Sequence, residues 1–247
     1  MTATRRELTR AATVEEIKRT AFDLMRRNGT TAVSFADIAR EMRMTAPALY
    51  RYFAGRDDLL TALIATTYDE LGEQLRTHRE AVPAEDPGGR LVALCDAYRA
   101  WAMEYPERLA LLSGLPIPGY TAPEEGPTTE AARRAMSNFH LLHADAAAAG
   151  SLRDPLLCDC TPALRRELSS PGHKMSDVPP AVAAGMLHAW AMLQGFVSLE
   201  AYGNLAWIDQ AARDDLFVNY VRLIAGAIGL PAPADGWTRK PRRRART

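Results

Sequence analysis

The stretch from Ser34 to Leu60, SFADIAREMRMTAPALYRYFAGRDDLL, decides how the chain is read. Ser34 is a helix N-cap residue type, and Asp37, three residues on, is a box-like partner for it. The spacing predicts a short helix from there to about Met42, a three-residue turn Arg43-Met44-Thr45, and a second short helix over about 46–52. Thr45 is a natural cap for the second helix, and Pro47 falls in its first turn, where proline is tolerated. Ala39, Met42 and Leu49 are spaced to pack the two helices together, and Tyr50-Arg51-Tyr52-Phe53 with Arg56 closes the pair. A compact helix pair exposing hydroxyls, amides and guanidinium groups on one side is the geometry that places a helix in a DNA major groove. An ordinary helical hairpin of a bundle has the same spacing, so the pattern alone leaves both open.

Working outward, Val14, Ile17, Ala21, Leu24 and Met25 recur at helical spacing between Thr13, the expected N-cap, and the Asn28-Gly29 stop. Residues 1–12, with Arg5, Arg6 and Arg10, are expected to be a flexible basic arm. Downstream, Gly55 breaks the chain before Asp57 and Asp58 start a long helix to about Ala81. Further helices are expected near 90–105, 107–113, 128–149, 163–169, 180–203 and 209–228, with no alternating pattern of strand length. The fold class is therefore all-α. It comprises a helix-turn-helix domain at 13–60, a larger helical domain at 61–230, for which the family resemblance given below implies ligand binding and dimerisation, and a disordered Pro-rich and basic tail at 231–247. The order of 114–127 and 150–179, rich in Pro and Gly, is left open.

Composition narrows the function class. The chain is 47% apolar and 24% charged, ordinary for a soluble globular protein. No apolar run approaches the roughly 18 to 20 residues of a membrane span, and the N-terminal arginines precede no hydrophobic segment, so neither a membrane partner nor a secretory signal is expected. Three cysteines are too few for a disulfide framework, and a cytoplasmic location follows as the expectation. The net charge of zero conceals an asymmetry. Residues 1–60 hold 11 Lys+Arg against 8 Asp+Glu, residues 61–238 hold 13 against 22, and residues 239–247 hold six basic residues and no acidic ones. Contact with a polyanion would belong to the ends.

Residues 14–64 resemble the N-terminal DNA-binding domain of the TetR family of transcriptional regulators. The likeness rests on SFADIA, the three-residue turn and TAPALYRYFAGRDDLL. Residues 189–200, AWAMLQGFVSLE, are similar to the Trp-x-x-x-His-Gly segment of one TetR subgroup, with Gln194 where that subgroup has His. The resemblance implies a homodimer, a palindromic double-stranded DNA operator, a small-molecule effector that releases the DNA, and most often repression. An activator or a ligand-independent regulator is the alternative. By the same resemblance Ser34 would meet a phosphate at its helix N-terminus, Thr45 the groove edge, and Ala46 and Pro47 the bases through apolar contact. Tyr50 would donate to a phosphate, Tyr52 to a phosphate or base, Arg51 to bases or a phosphate, and Arg56, where the family commonly has Lys, would hold a phosphate. Leu49 and Phe53 are core residues in this reading. Arg43 replaces the glycine usual in the turn, so either the turn avoids positive φ or Arg43 bears strain of about 1 kcal/mol, with its side chain placed to reach the DNA backbone.

For an effector pocket, Tyr98, Trp101, Met103, Leu112, Met136, Phe139, His143, Met186 and Trp190 supply an apolar and aromatic lining with few polar anchors. Cys158-x-Cys160 with His143 or His173 lacks metal-site spacing, so neither a metal nor another cofactor is expected. No nucleophile–base pair stands out, and an enzyme on the helical domain is a remote alternative. Two long helices, near 180–203 and 209–228, are apolar on more than one face. They are either central in a monomeric bundle or shared between a core and a subunit partner.

Overall fold

The structure is a computed structural model. It describes residues 4–29, 31–113, 120, 125–156, 160–170 and 178–233. Among these the secondary structure is ten helices: α1 (Arg5–Asn28), α2 (Phe35–Glu41), α3 (Ala46–Leu49), α4 (Arg56–Glu80), α5 (Pro87–Glu104), α6 (Pro106–Leu112), α7 (Pro127–Ala148), α8 (Pro162–Leu168), α9 (Pro180–Ala201) and α10 (Gln210–Ala227). The expected tail beyond residue 233, Cys158, His173 and most of 114–127 lie outside the described residues.

Helix α1 corrects the reading of the N-terminus. It starts at Arg5, not Thr13, because Thr4 and Glu7 form a capping box. The Thr4 backbone N–H donates to the Glu7 carboxylate at 2.7 Å, and the Glu7 N–H donates to Thr4 Oγ1 at 3.3 Å. Thr13 is interior, and its hydroxyl donates back to the Thr9 carbonyl at 3.0 Å. Gly29, at φ 62°, ends the helix in the left-handed conformation.

One compact unit comprises Met1–Glu73 and Trp101–Ser137. Its core takes Ile17, Ala21 and Met25 from α1, Ile38 and Ala39 from α2, Leu49 from α3, Leu60 and Leu63 from α4, and Leu111 from α6. Charge as well as apolar contact fixes α6 here. The Arg108 guanidinium lies 4.2 Å from the Phe22 ring centre and 4.7 Å from that of Tyr105, and it pairs with Glu70. Beside it, Arg26 reaches the buried Glu107 at 3.3 Å.

The turn between α2 and α3 settles the question at Arg43. Its φ is 55°. The Met44 N–H donates to the Ala39 carbonyl at 2.8 Å and the Arg43 N–H donates to the Arg40 carbonyl at 3.2 Å, the double bond of a Schellman turn. Met44 packs back onto the core. Arginine therefore occupies the site that glycine would fill without strain, at a cost of about 1 kcal/mol. Helix α3 is shorter than the expected 46–52. The Tyr52 N–H turns to the Leu49 carbonyl at 2.9 Å, so the chain tightens after one turn.

The other unit comprises Gln74–Ala100 and Asn138–Thr247. Helices α9 and α10 pack as a hairpin, with Leu193, Phe196 and Val197 of α9 and Phe217, Val221 and Ile224 of α10 buried. Leu168 of α8 packs on Ala183 and Ala184. Contrary to the sequence expectation, α9 is long and apolar enough to cross a membrane by length and composition. Its inward face is nonetheless packed inside this unit, and its Glu200 belongs to a buried charge cluster. Arg99 of α5 donates to both Glu200 oxygens, at 2.6 and 2.5 Å, and its Nη1 lies 2.8 Å from Asp214 Oδ1 on α10. The Phe217 ring stacks at 4.5 Å on the same guanidinium. Burial disfavours the charge on Arg99, but the two carboxylates outweigh it and hold its pKa above the ordinary value.

Two outcomes test these assignments. Arg43→Gly relieves the left-handed strain and raises stability by about 0.5–1 kcal/mol in urea unfolding; an unchanged or lower midpoint contradicts a strained Arg43. Glu200→Gln leaves Arg99 buried with half its compensation and costs about 3 kcal/mol, read as a lowered unfolding midpoint.

Candidate nucleic-acid interface

Helix α3 and its flanks carry the residues that the sequence reading expects to meet DNA. Thr45 is exposed, and its side chain makes no capping hydrogen bond, so the hydroxyl is available to an external acceptor. Pro47 is exposed beside it. Ala46 is half-buried and packs on the core, which turns it further inward than the expectation placed it. Tyr50 is 58% exposed. Its ring leans on Phe35, the first residue of α2, with centroids 5.0 Å apart, and this support holds the phenol outward. The sequence reading did not include Phe35; its place between a helix cap and an apolar run was the available signal.

Arg51 is exposed, and its backbone carbonyl accepts a 2.7 Å bond from Arg10 Nη1. The Arg10 guanidinium also lies 5.3 Å from the centre of the Tyr52 ring. Tyr52 is half-buried and packs on the core, so its ring is fixed on both sides. Arg43 is exposed on the turn. Arg56 opens α4 and is half-buried there, followed by the exposed Asp57 and by Asp58, whose carboxylate accepts from the Ala54 N–H at 2.9 Å. Leu49 and Phe53 are buried.

Ser34 sits at the N-cap of α2 as expected, but its hydroxyl proton is committed. Ser34 Oγ donates to Asp37 Oδ2 at 2.6 Å and accepts from the Asp37 N–H at 3.1 Å. The Ser34 bond, with Arg40 at 2.9 Å, holds the Asp37 carboxyl below the usual range. An approaching phosphate would meet this carboxylate, so backbone N–H groups rather than the hydroxyl are what Ser34 offers it.

The expected pocket residues fall into both compact units. Trp101, Met103, Leu112 and Met136 belong with the N-terminal unit, where the buried Trp101 stacks near Tyr105 at 6.4 Å, Leu112 packs on the core and Met103 is exposed. Tyr98, Phe139, His143, Met186 and Trp190 belong to the other. There the structure joins Tyr98 to Trp190 at 5.4 Å and Phe139 to Trp190 at 6.5 Å between ring centres. The Tyr98 hydroxyl donates to Gln194 Oε1, and Gln194 Nε2 donates to Ser198 Oγ at 3.1 Å. The residue that departs from the subgroup pattern thus organises the polar edge of an aromatic cluster. Burial holds the His140 and His143 imidazoles below the ordinary histidine pKa, so both are neutral near pH 7. Among the described residues no group of three His, Cys, Asp or Glu is placed to hold a metal ion. Cys160 packs beside Leu168, and burial pushes the Cys95 thiol up.

The chain is similar to known proteins in sequence and in fold. Residues 17–63 match the family model described as bacterial regulatory proteins, tetR family, and residues 91–224 match the tetracyclin repressor-like C-terminal domain. An HTH-type transcriptional regulator of Mycobacterium tuberculosis is 32% identical over 201 residues, covering 77% of this chain and 82% of its own. Among solved structures, the regulatory protein SCO4313 is 34% identical with a TM-score of 0.67, covering 90% of this chain and 100% of that one. A TetR/AcrR-family transcriptional regulator from Thermobifida fusca shares the fold at a TM-score of 0.53 and 24% identity, over 92% of this chain and 100% of its own. The chain therefore belongs to the TetR family of bacterial DNA-binding transcriptional regulators.

Proposed function

We propose that the protein is a cytoplasmic, homodimeric repressor that grips a palindromic operator through residues 34–56 and releases it when a small molecule binds the C-terminal helices. The observation that carries the DNA reading is the outward set of Thr45, Pro47, Tyr50 and Arg51 on a segment whose other side, Leu49 and Phe53, is core. Thr45, Tyr50 and Arg51 each present a donor, and Pro47 presents an apolar surface. Phosphate contacts position such a segment, and base contacts specify the sequence.

Dimerisation is supported by the outer faces of α9 and α10. Leu187, Ala191, Gly195 and Leu199 repeat every four residues along α9, and all four are exposed. Leu199 is 48% exposed and Leu223 on α10 is 52% exposed. A Cβ on Gly195 would meet nothing within 4 Å, so the backbone there is open to close approach by another helix. A self-complementary patch of this kind suits a two-fold dimer, which pairs with a palindromic site. The Tyr98–Trp190–Phe139 cluster with Gln194 suits an aromatic or apolar effector held by one or two hydrogen bonds.

Duplexes of about 20–30 base pairs recovered by the full chain from a random library should bind in the nanomolar range and contain an inverted repeat. Arg51→Ala should weaken that binding by about 1–3 kcal/mol; binding as tight as wild type by Arg51→Ala and by Tyr50→Ala would remove the assigned surface. Leu199→Glu with Leu223→Glu should give a monomer in sedimentation while the helical content is kept. A dimer that persists in this variant places the interface elsewhere.

A further inference from the structure

Residues Arg5–Thr13 form the first turns of α1 and precede residue 17, where the family match begins. Every side chain from Arg5 to Ala12 is exposed, so core packing does not order this segment. Two other things do. The Thr4–Glu7 capping box starts it, and Arg10 ties it to the far end of the recognition segment, 41 residues away in sequence. Arg10 gives Nη1 to the Arg51 carbonyl at 2.7 Å and lays its guanidinium over the Tyr52 ring at 5.3 Å. That carbonyl lies just past α3, where helix ends leave acceptors without a helical partner.

Arg6 stands one turn before Arg10 on the side of α1 that continues the Val14, Ile17 and Ala21 stripe. Arg10 touches Arg51, and Arg6 lies about 6 Å from Arg10 along the α1 axis, toward the start of the helix. It is exposed and makes no ion pair among the described residues, and neither does Arg5. The acid nearby, Glu7, has its carboxylate engaged by the Thr4 N–H at 2.7 Å and the Thr4 hydroxyl at 2.9 Å. The segment carries a net positive charge, with Arg5, Arg6 and Arg10 against Glu7, and Arg10 joins it to Arg51.

We propose that the helical extension Arg5–Thr13 is a second part of the DNA-binding surface, in which Arg6, with Arg5, contacts the phosphodiester backbone flanking the groove and Arg10 positions Arg51 and Tyr52. The proposal rests on residues 45–51 binding DNA. A guanidinium on a phosphate adds sequence-independent affinity. A guanidinium committed to a carbonyl and a ring instead fixes the direction of the side chains that meet the bases.

The test is fluorescence anisotropy of the full-length protein on two duplexes of about 30 base pairs, from about 50 to 300 mM salt. One duplex is selected by the wild-type chain from a random library, and the other is its scrambled sequence. Arg6→Ala should weaken binding to both duplexes alike and lower the salt slope by about 1.8, the value of two lost phosphate contacts, one from each subunit of the dimer. Arg10→Lys keeps the charge and loses the fork and the stack. It should weaken the selected duplex several-fold more than the scrambled one with little change in slope. Circular dichroism at 222 nm confirms that each variant keeps its helices, and Arg5→Ala with Arg6→Ala repeats the slope measurement independently. If Arg6→Ala and the double variant keep wild-type slope and affinity while Arg51→Ala is weakened, the extension makes no DNA contact and the proposal falls alone. If Arg10→Lys discriminates the two duplexes as wild type does, its positioning role falls. If the wild-type chain selects no duplex, the DNA-binding reading falls and takes this inference with it.

Discussion

A four-residue helix has no stability of its own, because nucleation costs more than one turn returns. Helix α3 is that short, and every feature of the surface around it depends on how it is held from outside. Leu49 and Phe53 anchor it in the core. The left-handed turn at Arg43 delivers the chain to its start, Phe35 supports Tyr50 at its C-cap, and Arg10 holds the Arg51 carbonyl just past its end. The recognition segment is thus a product of packing by α1, α2 and α4. Its exposed residues are free to serve contact because other residues carry the fold.

The C-terminal unit solves a different problem. Its long helices are apolar on two sides, and one buried charge cluster sits among them. Burying Arg99 without partners would be costly, so Glu200 and Asp214, from two different helices, surround it, and Phe217 covers its face. This arrangement ties α5, α9 and α10 in one geometry more specifically than apolar contact does. Leu187, Leu199, Leu216 and Leu223 remain exposed on the single chain.

Charge follows the same division. The basic excess of the first 60 residues is offset in part by ion pairs, Arg26 with the buried Glu107 and Arg27 with the exposed Glu41. What remains outward is concentrated near α3 and the start of α1. At the N-terminus of α2, the Ser34 hydroxyl donates to Asp37 and is committed within the cap.

Much of this was legible in local sequence. Apolar spacing locates every helix to within a few residues from α2 onward, because each buries a stripe or face against a neighbour. Ser34, Thr45, Pro47 and the Tyr50–Arg56 run mark the helix pair through capping and turn chemistry that needs no distant partner. The start of α1 was written in Thr4-x-x-Glu7 but carries no apolar period, so it read as an arm. At Arg43 the sequence posed two alternatives; the tertiary turn chose φ 55° because Met44 had to reach the core and its N–H the Ala39 carbonyl. Arg10 on Arg51, Arg99 between Glu200 and Asp214, and Tyr98 on Gln194 join residues 41, 101 or 115, and 96 positions apart. Periodicity records which face of a helix is buried. It does not record which neighbour that face meets, and only the folded chain decides those partners.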